Sequence, residues 1–98
     1  MPLVLGMKLN RDNEIWVNDT KVTLDLIRSL SKTDITVHTP AMDYKYTIDT
    51  GSFREILPNV KMMLGEETNR DEFCRVLVDA PKSIRIERGA RYHALSHD

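Results

Sequence analysis

The chain has 98 residues, 41% of them apolar and 30% charged, with a formal net charge of −1. That length fits one domain with a small core, a size at which oligomerisation often adds stability. No apolar run approaches the roughly 20 residues of a bilayer-spanning helix, the single cysteine excludes an internal disulfide, and the near-neutral charge does not by itself point to nucleic acid. The first residues, Met1-Pro2-Leu3-Val4-Leu5, have no basic flank or cleavage pattern, so no signal peptide is expected and the setting reads as cytoplasmic.

In chain order, residues 3–9 predict a strand, with Leu3, Leu5, Met7 and Leu9 on one face and Val4, Gly6 and Lys8 on the other. Asn10-Arg11-Asp12-Asn13 is turn chemistry. Residues 14–17 read as a second strand, making a hairpin with the first and ending at Asn18-Asp19. Residues 20–27 continue as a third strand, with Val22, Leu24 and Leu26 on one face; the spacing of Leu26, Ile27 and Leu30 also allows a helix over 24–31. In that second register the third strand moves to 34–39.

Residues 28–33 read as polar linker, and 35–39 with 44–48 as a hairpin around Pro40. Ser52, with Glu55 three residues on, has the form of a capping box opening a helix. Phe53, Ile56, Leu57, Val60, Met63 and Leu64 share its apolar face, Pro58 kinks it and Gly65 ends it. Residues 66–71 form a charged connector. In the next strand Val76 and Val78 alternate with Arg75 and Leu77 until Asp79-Ala80-Pro81 breaks it. Ile84 and Ile86 then alternate with Arg85 and Glu87, up to Arg88.

Residues 78–88, Val-Asp-Ala-Pro-Lys-Ser-Ile-Arg-Ile-Glu-Arg, resemble the fourth and fifth strands of the carbon storage regulator (Csr/Rsm) family, small bacterial RNA-binding regulators of translation. Leu3 to Leu9 and Glu14-Ile15-Trp16-Val17-Asn18-Asp19 resemble that family's first two strands, with a longer turn between them. The resemblance covers residues 2–27 and 73–95, and 28–72 reads as an insertion within a single domain, 1–98. Two departures stand out. Met7 replaces a usual RNA-contacting arginine, with Lys8 following it, and Gly89-Ala90 replaces a usual acidic pair before a short helix in which Tyr92 fits.

The resemblance implies a mainly β fold of small antiparallel sheets, enlarged by the inserted hairpin and helix. It also implies a homodimer whose chains exchange strands. The first strand of one chain and the fifth of the other would then grip a single-stranded GGA loop of an mRNA or small regulatory RNA. Matching positions are Leu5, Lys8, Asp79, Ala80, Pro81, Ile86 and Arg88, with Arg88 as anchor because a guanidinium suits bidentate contact with guanine or phosphate.

Charge placement adds to this. Residues 34–72 carry eight acidic and four basic side chains, whereas 82–91 holds Lys82, Arg85, Arg88 and Arg91 against Glu87 alone. A solvated strand face is the plainer meaning of such a run. Trp16, Tyr44 and Tyr46 are candidates for base stacking, with strand packing as the plainer role. His38, His93 and His97 do not cluster with Cys74 at any metal-ligand spacing, His93 and His97, four apart, are a poor site so near a terminus, and the glycines form no phosphate loop, so neither enzyme activity nor a cofactor is expected. The alternative function is a family fold that has lost RNA recognition and serves as a protein-interaction module, or antagonist of a related regulator, with a protein partner on the insertion.

Overall fold

A computed structural model describes residues 2–65 and 73–96. Among the described residues, nine strands make two antiparallel sheets that share one core, and one helix follows them. The strands are β1 (Leu3–Lys8), β2 (Glu14–Val17), β3 (Thr20–Ser29), β4 (Lys32–His38), β5 (Asp43–Asp49), β6 (Arg54–Leu57), β7 (Val60–Leu64), β8 (Phe73–Asp79) and β9 (Ile86–Arg88), followed by helix α1 (Gly89–Ser96). One sheet runs β1-β8-β7-β6 and the other β5-β4-β3-β2-β9. The core between them takes the inward side of each alternation: Leu5 and Met7, Ile15 and Val17, Val22 and Leu24, Ile35 and Val37, Met62 and Leu64, Val76 and Val78.

The first two strands do not form the expected hairpin. Lys8 O accepts from the amides of Arg11 and Asp12, a tight turn that sends the chain into the other sheet. β1 pairs instead with β8, Leu3 opposite Val78 and Lys8 opposite Phe73. The expected hairpin of β4 and β5 is present, with Ile35 opposite Tyr46.

The expected helix from Ser52 to Gly65 is also corrected: this segment is the hairpin β6–β7. Its apolar spacing fits two periods at once, and Val60, Met62 and Leu64 bury at period two. Pro58 and Asn59 make the turn, Asn59 with a left-handed φ of 65°. Residues 28–33 are not linker, because β3 runs to Ser29 and β4 begins at Lys32, with a register shift between Leu24 and Leu26. The third strand over 20–27 is therefore present and the helix over 24–31 is not. The charged connector 66–71 and His97 lie outside the described residues.

The pairing scheme repeats. In the first half β2 pairs with β3 and β3 with β4; in the second β6 pairs with β7 and β7 with β8. The leading strand of each half crosses over: β1 pairs with β8 of the second half, and β5 with β4 of the first. The short run Glu14-Ile15-Trp16-Val17-Asn18 returns as Glu55-Ile56-Leu57-Pro58-Asn59, and both asparagines have positive φ, 53° and 65°. Residues 28–65 are thus woven through both sheets. β9, lying along β2, and α1 after it have no counterpart among the described elements of the first half.

Candidate nucleic-acid interface

β1 is an edge of one sheet and β9 an edge of the other, and the side chain of Arg88 on β9 reaches the backbone of β1. The Arg88 guanidinium donates from Nη1 to Gly6 O at 3.5 Å, so the first and last strands are bridged within a single chain. On β1 the outward residues are Val4, Gly6 and Lys8; Val4 is 53% exposed. Met7 is fully buried, so the solvent-facing cation of this strand is Lys8 and not its neighbour. Leu5 is likewise in the core, which leaves its backbone as the part within reach of a ligand.

Arg88 and Lys8 are exposed, Ile86 is half-buried against the core, and Asp79 and Pro81 are exposed with Ala80 partly covered between them. Leu5 and Ile86 pack inward, and the other five predicted residues fall into two groups. Lys8 and Arg88 gather beside Gly6 near one end of β1. Asp79, Ala80 and Pro81 lie past the other end, roughly 17 Å away at about 3.4 Å per residue of strand. There they line a cavity of about 380 Å³ with Glu55, Asn59 and Lys61. The bend itself is closed by Ile84 N donating to Pro81 O at 3.0 Å, which carries the chain from one sheet to the other. Glu87 pairs with Arg91 at 3.7 Å rather than with Arg88.

Helix α1 docks beside this edge through Trp16, Tyr92 and His93, joined by Glu14 and Asp12. Trp16, on the outer face of β2, stacks on Tyr92 with ring centroids 4.0 Å apart and planes 4° from parallel. His93 meets both rings edge-on. Glu14 Oε1 accepts from the Trp16 indole at 2.9 Å and lies 3.0 Å from His93 Nε2. The indole bond, seconded by His93 and opposed by partial burial, holds the Glu14 carboxyl below the usual glutamate range. The Tyr92 hydroxyl donates to Asp19 at 3.1 Å; partial desolvation and this bond raise its pKa. At the start of the helix, Asp12 Oδ2 accepts from Ala90 N at 2.9 Å. A carboxylate from the β1–β2 turn thus caps the helix where the resembled pattern has its own acidic pair. Trp16 is therefore a packing aromatic, with one face already covered.

On the outer face of β3–β5, His38 links Asp43 (Nδ1, 3.1 Å) to Thr23 (Nε2, 2.9 Å) beside a cavity of about 690 Å³. The order carboxylate–imidazole–hydroxyl is that of a nucleophilic relay. However, the Thr23 hydroxyl donates to Asp25 at 3.1 Å, so its proton is not directed at the imidazole. Asp25 also accepts from Thr36, making the group a cross-strand polar network. Tyr46 packs beside the core with Arg54 5.1 Å above its ring. Cys74 is fully buried, and desolvation pushes its thiol up to about 12, far from a reactive thiolate.

Against protein-family models, curated proteins and solved structures, the chain has no match.

No helix among the described residues is long and apolar enough to cross a membrane.

Proposed function

We propose that this protein binds single-stranded RNA loops along the β1–β9 edge and acts as a post-transcriptional regulator, with GGA as the recognised sequence implied by the carbon storage regulator resemblance. The observation that carries the reading is the Arg88–Gly6 bridge at 3.5 Å. It puts a planar guanidinium against the exposed backbone of the first strand, with Lys8 close by. An edge strand offers amides and carbonyls that read base edges, and the cations hold phosphate or guanine. On this reading the surface needs no second chain, a reading supported by the Arg88 side chain reaching Gly6 O of its own chain. The homodimer is then not required for binding. The protein-interaction alternative is favoured by a separate observation, taken up below.

The test is a titration of the full chain against a GGA hairpin and a scrambled-loop control at fixed salt, since affinity without stated salt has no meaning. The GGA loop is expected to bind more tightly. Arg88→Ala should cost about 1–3 kcal/mol if the side chain reads a base. Equal affinity for both loops, or no effect of the substitution, refutes the role.

A further inference from the structure

We propose that the outer edge of β6 is a seat for an extended, basic peptide strand of a partner protein. The inference does not depend on RNA binding. It begins from the repeated pairing scheme, in which β2 and β6 hold equivalent places. The outer edge of β2 is covered by β9: Ile15 lies opposite Arg88, Trp16 opposite Glu87 and Val17 opposite Ile86. The outer edge of β6 is covered by no strand among the described residues.

The occupied seat shows what such an edge takes. Asn18 clamps the incoming strand twice: its amide donates to Arg85 O at 2.8 Å and its Oδ1 accepts from Arg85 N at 3.0 Å. Ile86 then turns towards the core, and the strand is three residues long. At the other seat stands Asn59, reached through the same Glu-Ile-x-x-Asn run and also left-handed. Its amide has no incoming carbonyl and donates to Glu55 Oε2 at 3.2 Å. An exposed carboxylate thus holds the bond that, in the twin, belongs to the guest strand. Beside it is a cavity of about 420 Å³ lined by Tyr46, Glu55, Ile56, Leu57, Pro58 and Asn59. Strand addition to an open edge gains main-chain hydrogen bonds, with alternate side chains filling pockets.

Charge and economy select the guest. Glu55 is the one acidic group of that lining, and the segment seated at the twin carries Arg85 and Arg88 around an apolar residue. A peptide of the form Arg-apolar-x-Arg fits both. The β9 of a second copy is a poor guest, since it is tied to its own β2 and, through α1, to Trp16. Moving it would open one edge to close another.

The probe is the acetylated peptide Lys-Ser-Ile-Arg-Ile-Glu-Arg-Gly-Ala-Arg, the sequence of residues 82–91, added to the full chain and followed by amide NMR shifts. Saturable shifts over residues 54–59 are expected. Asn59→Gly keeps the left-handed turn and removes the side-chain acceptor, so affinity should fall about fivefold to tenfold, the worth of one net hydrogen bond. Glu55→Lys should weaken it by about tenfold or more. The proposal is overturned by no binding at millimolar peptide, by shifts confined to β2, or by equal affinity of a scrambled peptide or of both variants. It is equally overturned if the chain sediments as a dimer whose interface is β6.

Discussion

Thr33 carries its hydroxyl into the core opposite Ile48, fully buried and without a hydrogen-bond partner among the described residues. A buried hydroxyl that has given up water without replacing it destabilises the fold, and a shape-matched apolar side chain removes that cost. Thr33→Val should raise stability by about 1 kcal/mol, read as a higher denaturation midpoint at unchanged slope. Gly89 is the opposite case. A Cβ there would lie 2.6 Å from Asp12 Oδ1 and 2.8 Å from Glu14 Cβ, so the helix start fits against the β1–β2 turn only without a side chain. Gly89→Ala should cost about 1–3 kcal/mol, in the range of overpacking, and should loosen α1 before the sheets. A variant with wild-type stability and wild-type Trp16 fluorescence would disprove the close fit.

At the scale of elements, α1 is short and gains little from its own propensity, so it is held by tertiary contacts. Those contacts centre on Glu14, Trp16 and Tyr92, and Glu14 makes them pH-dependent. Its folded-state pKa lies below the ordinary glutamate value. Its contribution is therefore complete above the unfolded-state pKa and is lost as pH falls through the folded one. Trp16 is the only tryptophan, so its fluorescence reports the docking directly. Acidification below the usual glutamate range should release the Tyr92 stack, and Glu14→Gln should remove that acid transition while leaving the neutral-pH sheets intact. An identical acid profile in both proteins would show that the anchor lies elsewhere.

At the scale of the whole molecule, the proposed RNA edge rests on one chain alone, through the reach of Arg88 to Gly6 O. One protomer should then bind one hairpin, and the measured affinity should not fall on dilution of the protein below any dimer dissociation range. Sedimentation of the complex checks this, and an obligatory two-chain complex would contradict it. The same scheme explains what could be read from residues alone. β5 and β8 were legible, and β3 and β4 in part, because their apolar residues recur at period two; the end of β3 and the start of β4 read as linker because the register shifts after Leu24 and Ile27 interrupt that period. The helix expected over 52–64 went wrong because Ile56, Leu57, Val60 and Leu64 satisfy a period of 3.6 and a hairpin with a bulge equally well, as the register shift between Glu55 and Leu57 shows. The internal repeat was within reach through the two Glu-Ile-x-x-Asn runs, although five residues are a faint signal without the pairing to support them.

Local chemistry by itself determined the mainly β character, the breaks at Asn18-Asp19 and Ala80-Pro81, and the basic run that ends at Arg88, because alternation, turn preference and charge act between near neighbours. Which strands lie side by side was settled only in three dimensions. β1 turns away from β2 to pair with β8, and Met7 is buried while Lys8 faces out, because closing the core between two sheets requires contacts between residues at opposite ends of the chain. No short-range pattern encodes that choice, since the hydrogen-bonding edge of a strand is much the same whichever partner it meets.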